Sequence, residues 1–164
     1  MKNKTYFIAQ SAIIAALYVV LTHFQNMLFP DSATMAIQFR LSEALCVLAF
    51  FTPSAIPGLT LGCFLFNITS GAALPLDFLV GSFASFLATS TMWKLRRFPL
   101  PGLLMPAVFN SVLVGWELTQ YIGGGFLFNA ACVAAGEAVV LLSLGSVVYT
   151  IIKSRNLHHK LFRS

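Results

Sequence analysis

The chain has 164 residues, of which 58% are hydrophobic and only 9% charged, and its formal net charge is +5. A water-soluble fold of this length cannot hide that much apolar surface and carries too few charges to stay dispersed, while disorder needs the opposite balance. The mean hydropathy of +0.84 fits an all-α membrane protein, a single integral membrane domain over 1–164 with room for about six spans of ~20 residues.

The first expected span covers 5–24. Its apolar run, 6–22, is longer than a signal-peptide core and more spans follow, so it reads as a retained helix. A segment with Pro30 and Asp31 follows over 25–38. The second span, 39–51, is short and opens on Arg40 and Glu43. Pro53 and Pro57-Gly58 break the chain before the third, 58–72. Pro75 precedes the fourth, 76–93. Lys94, Arg96 and Arg97 lead past Pro99 and Pro101 to the fifth, 102–121. Gly123-Gly124-Gly125 makes a turn into the sixth, 126–152, and a basic tail closes the sequence.

Nine of the ten basic residues fall in three clusters: Lys2 and Lys4; Lys94, Arg96 and Arg97; Lys153, Arg155, Lys160 and Arg163. With six spans all three fall on one side, which the positive-inside rule makes cytoplasmic. Both termini are therefore expected in the cytoplasm. No basic residue is interleaved with an exposed aromatic face, which argues against nucleic acid. Cys46, Cys63 and Cys132 lie in apolar runs and form neither a disulfide framework nor a zinc site.

The five acids show the opposite bias. Asp31 falls in the first outer loop, Glu43 one turn into the second span, and Asp77 at the outer start of the fourth. Glu117 is one turn from the outer end of the fifth span, and Glu137 is nearer the middle of the sixth. An ionised carboxylate at the bilayer centre costs ~2.5–3.5 kcal/mol on insertion scales. Four of them are expected to converge on a protein-lined chamber open to the outside. Each also has a structural alternative. Arg40 and Glu43, three apart, suit a self-paired couple, and Asp77 suits a first-turn acid. Asn110, Glu117 and Tyr121 share one stripe of the fifth span. Their amide, carboxylate and phenol suit a polar heterocycle. Glu137 has no basic neighbour in sequence, which makes it a functional candidate by default. A ligand for such a chamber is cationic or rich in N–H donors, since carboxylates accept.

No Walker loop, HExxH or GxSxG is present, and His23 stands apart from His158-His159. Neither an enzyme, a metal centre nor a cofactor is therefore expected. Ala9, Ala12 and Ala16 make a smooth stripe on the first span, suited either to internal packing or to close approach of another helix.

These features together resemble a substrate-binding S component of an energy-coupling factor (ECF) transporter. The stretch from Ile37 to Ile68, "IQFRLSEALCVLAFFTPSAIPGLTLGCFLFNI", is similar to the QueT family, with "FRLSEAL" its most specific piece; "SAIIAALYVVLT", from Ser11, fits that family's first helix. The resemblance implies a multi-pass subunit of the cell membrane. It would capture a 7-deazaguanine queuosine precursor, such as the aminomethyl form, from outside. It would then dock on an ECF transmembrane coupling subunit carrying two ATPases. Ala12 and Ala16 take the place of the family's docking motif, flanked by Ala9. The segment 25–38 takes the place of its lid. Glu117, then Glu43 and Glu137, are the first candidates for ligand contact, with Asn110, Arg40, Asp77 and Tyr121 beside them. The alternatives are an S component for another vitamin or nucleobase-like solute, or a membrane scaffold or enzyme with no transported solute.

Overall fold

A computed structural model describes residues 2–30, 39–71 and 73–155. Asp31, most of the expected lid and the basic tail from 156 lie outside the described residues. Helical segments follow one another as α1 (Lys2–Leu28), α2 (Leu41–Phe50), α3 (Ala55–Thr69), α4 (Asp77–Lys94), α5 (Pro99–Tyr121) and α6 (Phe126–Ser154). Among them α1, α5 and α6 are long and apolar enough to cross a membrane; α2 and α3 are shorter apolar helices. With 18 residues α4 has the length but is more polar, carrying Asp77, Ser82, Ser85 and Thr89.

The elements depart from expectation in physically readable ways. The first helix continues through Leu28, so the start of the expected lid is helical. Gln25 explains this, since its amide bonds the Phe39 carbonyl and its Oε1 accepts the Leu41 N–H at 2.7 Å. The second element is a 3₁₀ helix. Its ten residues reach about 20 Å at ~2.0 Å rise, where an α-helix would reach ~15 Å. Pro57 does not delay α3, because the first turn of a helix has no use for its missing N–H. Leu104 interrupts α5 between Leu103 and Met105, where Pro106 cannot donate to the preceding turn. In α6 a π-helical turn, Leu141–Gly145, follows Glu137 by one helical turn.

Helices α1, α3, α4, α5 and α6 pack in that order around α2, which touches all of them. The main core accordingly surrounds α2, with Tyr18, Val47, Leu59, Phe66, Met92 and Leu141 among its members. A smaller cluster of Val114, Leu118 and Val133 joins α5 to α6. The ends also sort by charge. Ser54, just past α2, accepts the Ser11 hydroxyl at 3.0 Å and donates to Gln10 at 3.0 Å, so the start of α1 lies at this end. Tyr149 of α6 packs on Phe50 and Phe51 at 5.6 and 5.5 Å, and Gly102 abuts the Phe50 ring. The basic residues Lys4, Lys94, Arg96, Arg97 and Lys153 therefore cluster at the end where α2 finishes.

Helices α1 and α3 approach closely through Gly58 and Gly62. A Cβ on Gly62 would sit 2.7 Å from the Tyr18 Cβ. Gly62→Leu is expected to lower stability by about 1–3 kcal/mol through overpacking. Gly71→Ala, which meets nothing within 4 Å, leaves it unchanged. Thermal unfolding in detergent reads both, and equal midpoints would refute the close approach.

Candidate functional site

The buried polar groups of this bundle form two pairs of carboxylates with one guanidinium among them. The deep pair is Glu43 of α2 and Glu137 of α6. The 3₁₀ geometry eclipses residues three apart, and the Cys46 thiol accordingly donates to Glu43 Oε2 at 3.0 Å. The Tyr18 hydroxyl of α1 donates to Glu43 Oε1 at 2.8 Å. Asn110 of α5 donates to Glu137 Oε1 at 2.5 Å, while Glu137 Oε2 is buried without a partner. The two carboxylates face each other electrostatically, and Arg40 faces both.

The outer pair is Asp77, opening α4, and Glu117, one turn before the end of α5. Asp77 Oδ2 accepts the Leu74 N–H at 2.8 Å, the local bond that holds a first-turn acid in place. Asn67 of α3 donates to the Asp77 carbonyl at 2.8 Å and leaves its own Oδ1 buried without a partner. Asp77 and the Leu76 backbone adjoin Glu117, yet neither Glu117 oxygen has a hydrogen-bond partner of good geometry. Arg40 faces Asp77 as well as the deep pair. It also lies 5.7 Å over the Phe66 ring, with Nη1 3.8 Å from the Cys63 sulfur. Electrostatic neighbour relations thus link Glu137, Glu43, Arg40, Asp77 and Glu117 in that order.

Six of the seven residues expected at the site are brought together here. Glu117 and Glu137 are 0% exposed, Glu43 1% and Asp77 3%; Arg40 and Asn110 are also buried. Tyr121 is 46% exposed, at the end of α5, rather than buried among the acids. The expected open chamber is closed, since none of these four acids is more than 3% exposed. A surface groove of about 360 Å³ between α3 and α4, lined by Ile56, Leu61, Phe64 and Phe86, holds none of them. Ala9, Ala12 and Ala16 lie on the exposed side of α1, so they take no part in internal packing. The packing face is Ser11, Ile14, Ala15 and Tyr18 against Gly58 and Gly62.

Sequence reading missed Tyr18, Cys46 and Asn67. Their signal was present as polar groups embedded in apolar runs, but a tyrosine or cysteine in such a run equally suits a core. The Thr22 to Ser42 hydrogen bond at 2.7 Å was hidden for the same reason. Tyr18→Phe leaves a buried Glu43 oxygen short of its donor, which is expected to cost about 1–3 kcal/mol. An unchanged melting midpoint would show the bond to be idle.

Chemically, the arrangement places four buried carboxylates against one buried guanidinium. Buried charge of one sign must be paired, neutralised or hydrogen-bonded. What is missing is positive charge and N–H donors, and a solute able to supply both fits. Among the described residues no three His, Cys, Asp or Glu side chains gather as metal ligands.

Comparison with known proteins gives the same direction. The sequence model of the QueT transporter family matches residues 8–154. A queuosine precursor transporter, QueT, of Lactococcus lactis subsp. cremoris is 38% identical over 92 residues, covering 54% of this chain and 50% of that protein. ATP synthase subunit a of Magnetococcus marinus is 33% identical over 101 residues, 57% of this chain and 39% of that subunit. The matches therefore span half or less of the length of these curated relatives. No solved structure matches.

Proposed function

The chain belongs to the QueT transporter family, and from that premise we propose that it is the solute-binding S component of an ECF importer for a queuosine precursor. The solute is a 7-deazaguanine such as the aminomethyl form, taken from the outer face of the cell membrane. The observation that carries this reading is the buried group of Glu137, Glu43, Arg40, Asp77 and Glu117. Its unpartnered carboxylate oxygens call for the N–H donors of a guanine-like edge and for a cation. Glu137, whose Oε2 lacks a partner, accepts the ring N–H and the exocyclic amine. Asn110 holds the carboxylate in position through Oε1. Tyr121 stays at the rim.

Six spans with both termini in the cytoplasm fit the clustering of Lys4, the Lys94 to Arg97 run and Lys153 at one end of the bundle. That orientation turns the outer acid pair toward the exterior. The burial of the acids means that the solute enters by an opening motion. The exposed Ala9, Ala12 and Ala16 stripe on α1 suits docking on a transmembrane coupling subunit that carries two ATPases.

Equilibrium binding to the purified chain tests the reading. Aminomethyl-deazaguanine is expected to bind tightly and guanine weakly; failure to bind any deazaguanine overturns the solute assignment. Affinity capture from membranes should separately recover a coupling subunit with its ATPases. Capture of the chain alone overturns the ECF assignment.

A further inference from the structure

The outer acid pair has no role yet that the deep pair could not fill alone. Resting on the solute reading above, we propose that Asp77, Glu117 and Asn67 form an ammonium subsite, which selects a deazaguanine bearing a protonated aminomethyl arm over its uncharged 7-cyano analogue.

Three observations converge on this corner. The first is how the donors are shared out. The deep pair already receives the Tyr18 hydroxyl, the Cys46 thiol and the Asn110 amide. At the outer pair, Glu117 is buried and neither of its oxygens has a hydrogen-bond partner of good geometry, with only the Asp77 carboxyl and the Leu76 backbone adjoining it. The second is the count of acceptors. A primary ammonium carries three N–H donors. Glu117, Asp77 and the buried, unpartnered Asn67 Oδ1 supply three acceptors from three different helices. The third is the backbone field at Glu117. The positive start of α4 is already met by Asp77, whereas Glu117 lies one turn from the C-terminal end of α5, where the helix dipole is negative and favours a cation. A carboxylate placed there is poorly served by the helix itself. A nitrile offers this corner only another acceptor, so it leaves the Glu117 oxygens as they are. An ammonium brings donors and a positive charge to the pair with least of both.

The test is equilibrium binding of aminomethyl- and cyano-deazaguanine to the full chain, as wild type, Glu117→Gln and Asp77→Asn. Wild type is expected to favour the amine by ~tenfold or more, the scale of a charge-assisted hydrogen bond in a desolvated site. Each variant is expected to lose ~tenfold or more for the amine while its affinity for the nitrile stays within about twofold. A parallel loss for both ligands overturns the proposal, because the acids would then serve the base or the fold. Equal wild-type affinities overturn it without any variant, which keeps the test decisive if a substituted chain does not fold. Nitrile binding without discrimination leaves the solute reading standing and removes the subsite. Binding of neither ligand removes both.

Discussion

Glu137→Gln is expected to lower the affinity for aminomethyl-deazaguanine at least ~30-fold, about 2 kcal/mol, without lowering the melting midpoint. The two halves of this expectation have one cause. In the free protein Glu137 Oε1 holds the Asn110 amide while Oε2 is buried with no donor. An uncompensated buried oxygen of a carboxylate is a standing cost to the fold. Glutamine keeps the shape and keeps one oxygen for Asn110, so the bundle loses nothing and sheds a buried charge. The solute meets a different surface. Where a carboxylate offered an acceptor to a ring N–H and an exocyclic amine, the variant offers an N–H₂ that cannot accept. Two donors then face each other in a buried site. Sites built for function carry such costs, and relieving them commonly stabilises the scaffold while removing the activity. Affinity measured alongside thermal unfolding separates the cases. Unchanged affinity would remove Glu137 from the solute contacts. A fall in both affinity and midpoint would make it a structural residue.

The convergence of the acids was legible in sequence because charge in an apolar solvent has few places to go. Glu43, Asp77, Glu117 and Glu137 sit on four different helices, and burial cost alone forces them inward together. Their pairing was not legible. It depends on α2 being a 3₁₀ helix, which sets the Glu43 to Cys46 register, and a ten-residue apolar run gives no periodicity that separates 3.0 from 3.6 residues per turn. The same holds for the π turn after Glu137, whose cause is tertiary. A Cβ on Gly145 would come within 3.3 Å of Leu103 and 3.5 Å of Val47, so α6 makes its crossing of α2 there. Tyr121 failed for a simpler reason. It extends the Asn110 and Glu117 stripe by helical arithmetic, but at the last turn of α5 that position is left exposed, while α6 meets the turn through Asn129, which bonds Thr119 and the Gly123 carbonyl. The alanine stripe was ambiguous in one dimension. The Gly58 and Gly62 contact resolves it by showing which face of α1 the bundle uses.

Ala12→Leu combined with Ala16→Leu is expected to abolish uptake and cut recovery of a coupling subunit at least ~tenfold, while solute binding to the isolated chain stays unchanged. At ~100° per residue Ala16 lies roughly opposite Tyr18, the residue that packs against Gly62. Leucines at 12 and 16 therefore point away from the bundle core. Lipid receives leucine as readily as alanine, so the free subunit has no reason to unfold. A partner helix does not. Close helix contact in a membrane rests on small residues that let backbones meet, and each inserted isobutyl group at such a contact costs about 1–3 kcal/mol. Two of them suffice for the loss stated. Ala131→Leu combined with Ala135→Leu on the exposed side of α6 makes the same change in bulk away from the stripe, and should leave recovery as it was. If the double variant is recovered with its partners as well as wild type, α1 docks by another face or does not dock at all. The exposed alanines would then be lipid-facing residues with no further role. If solute binding falls along with recovery, the stripe acts through the packing of α1 on α3, and the division of α1 into a binding side and a docking side is wrong.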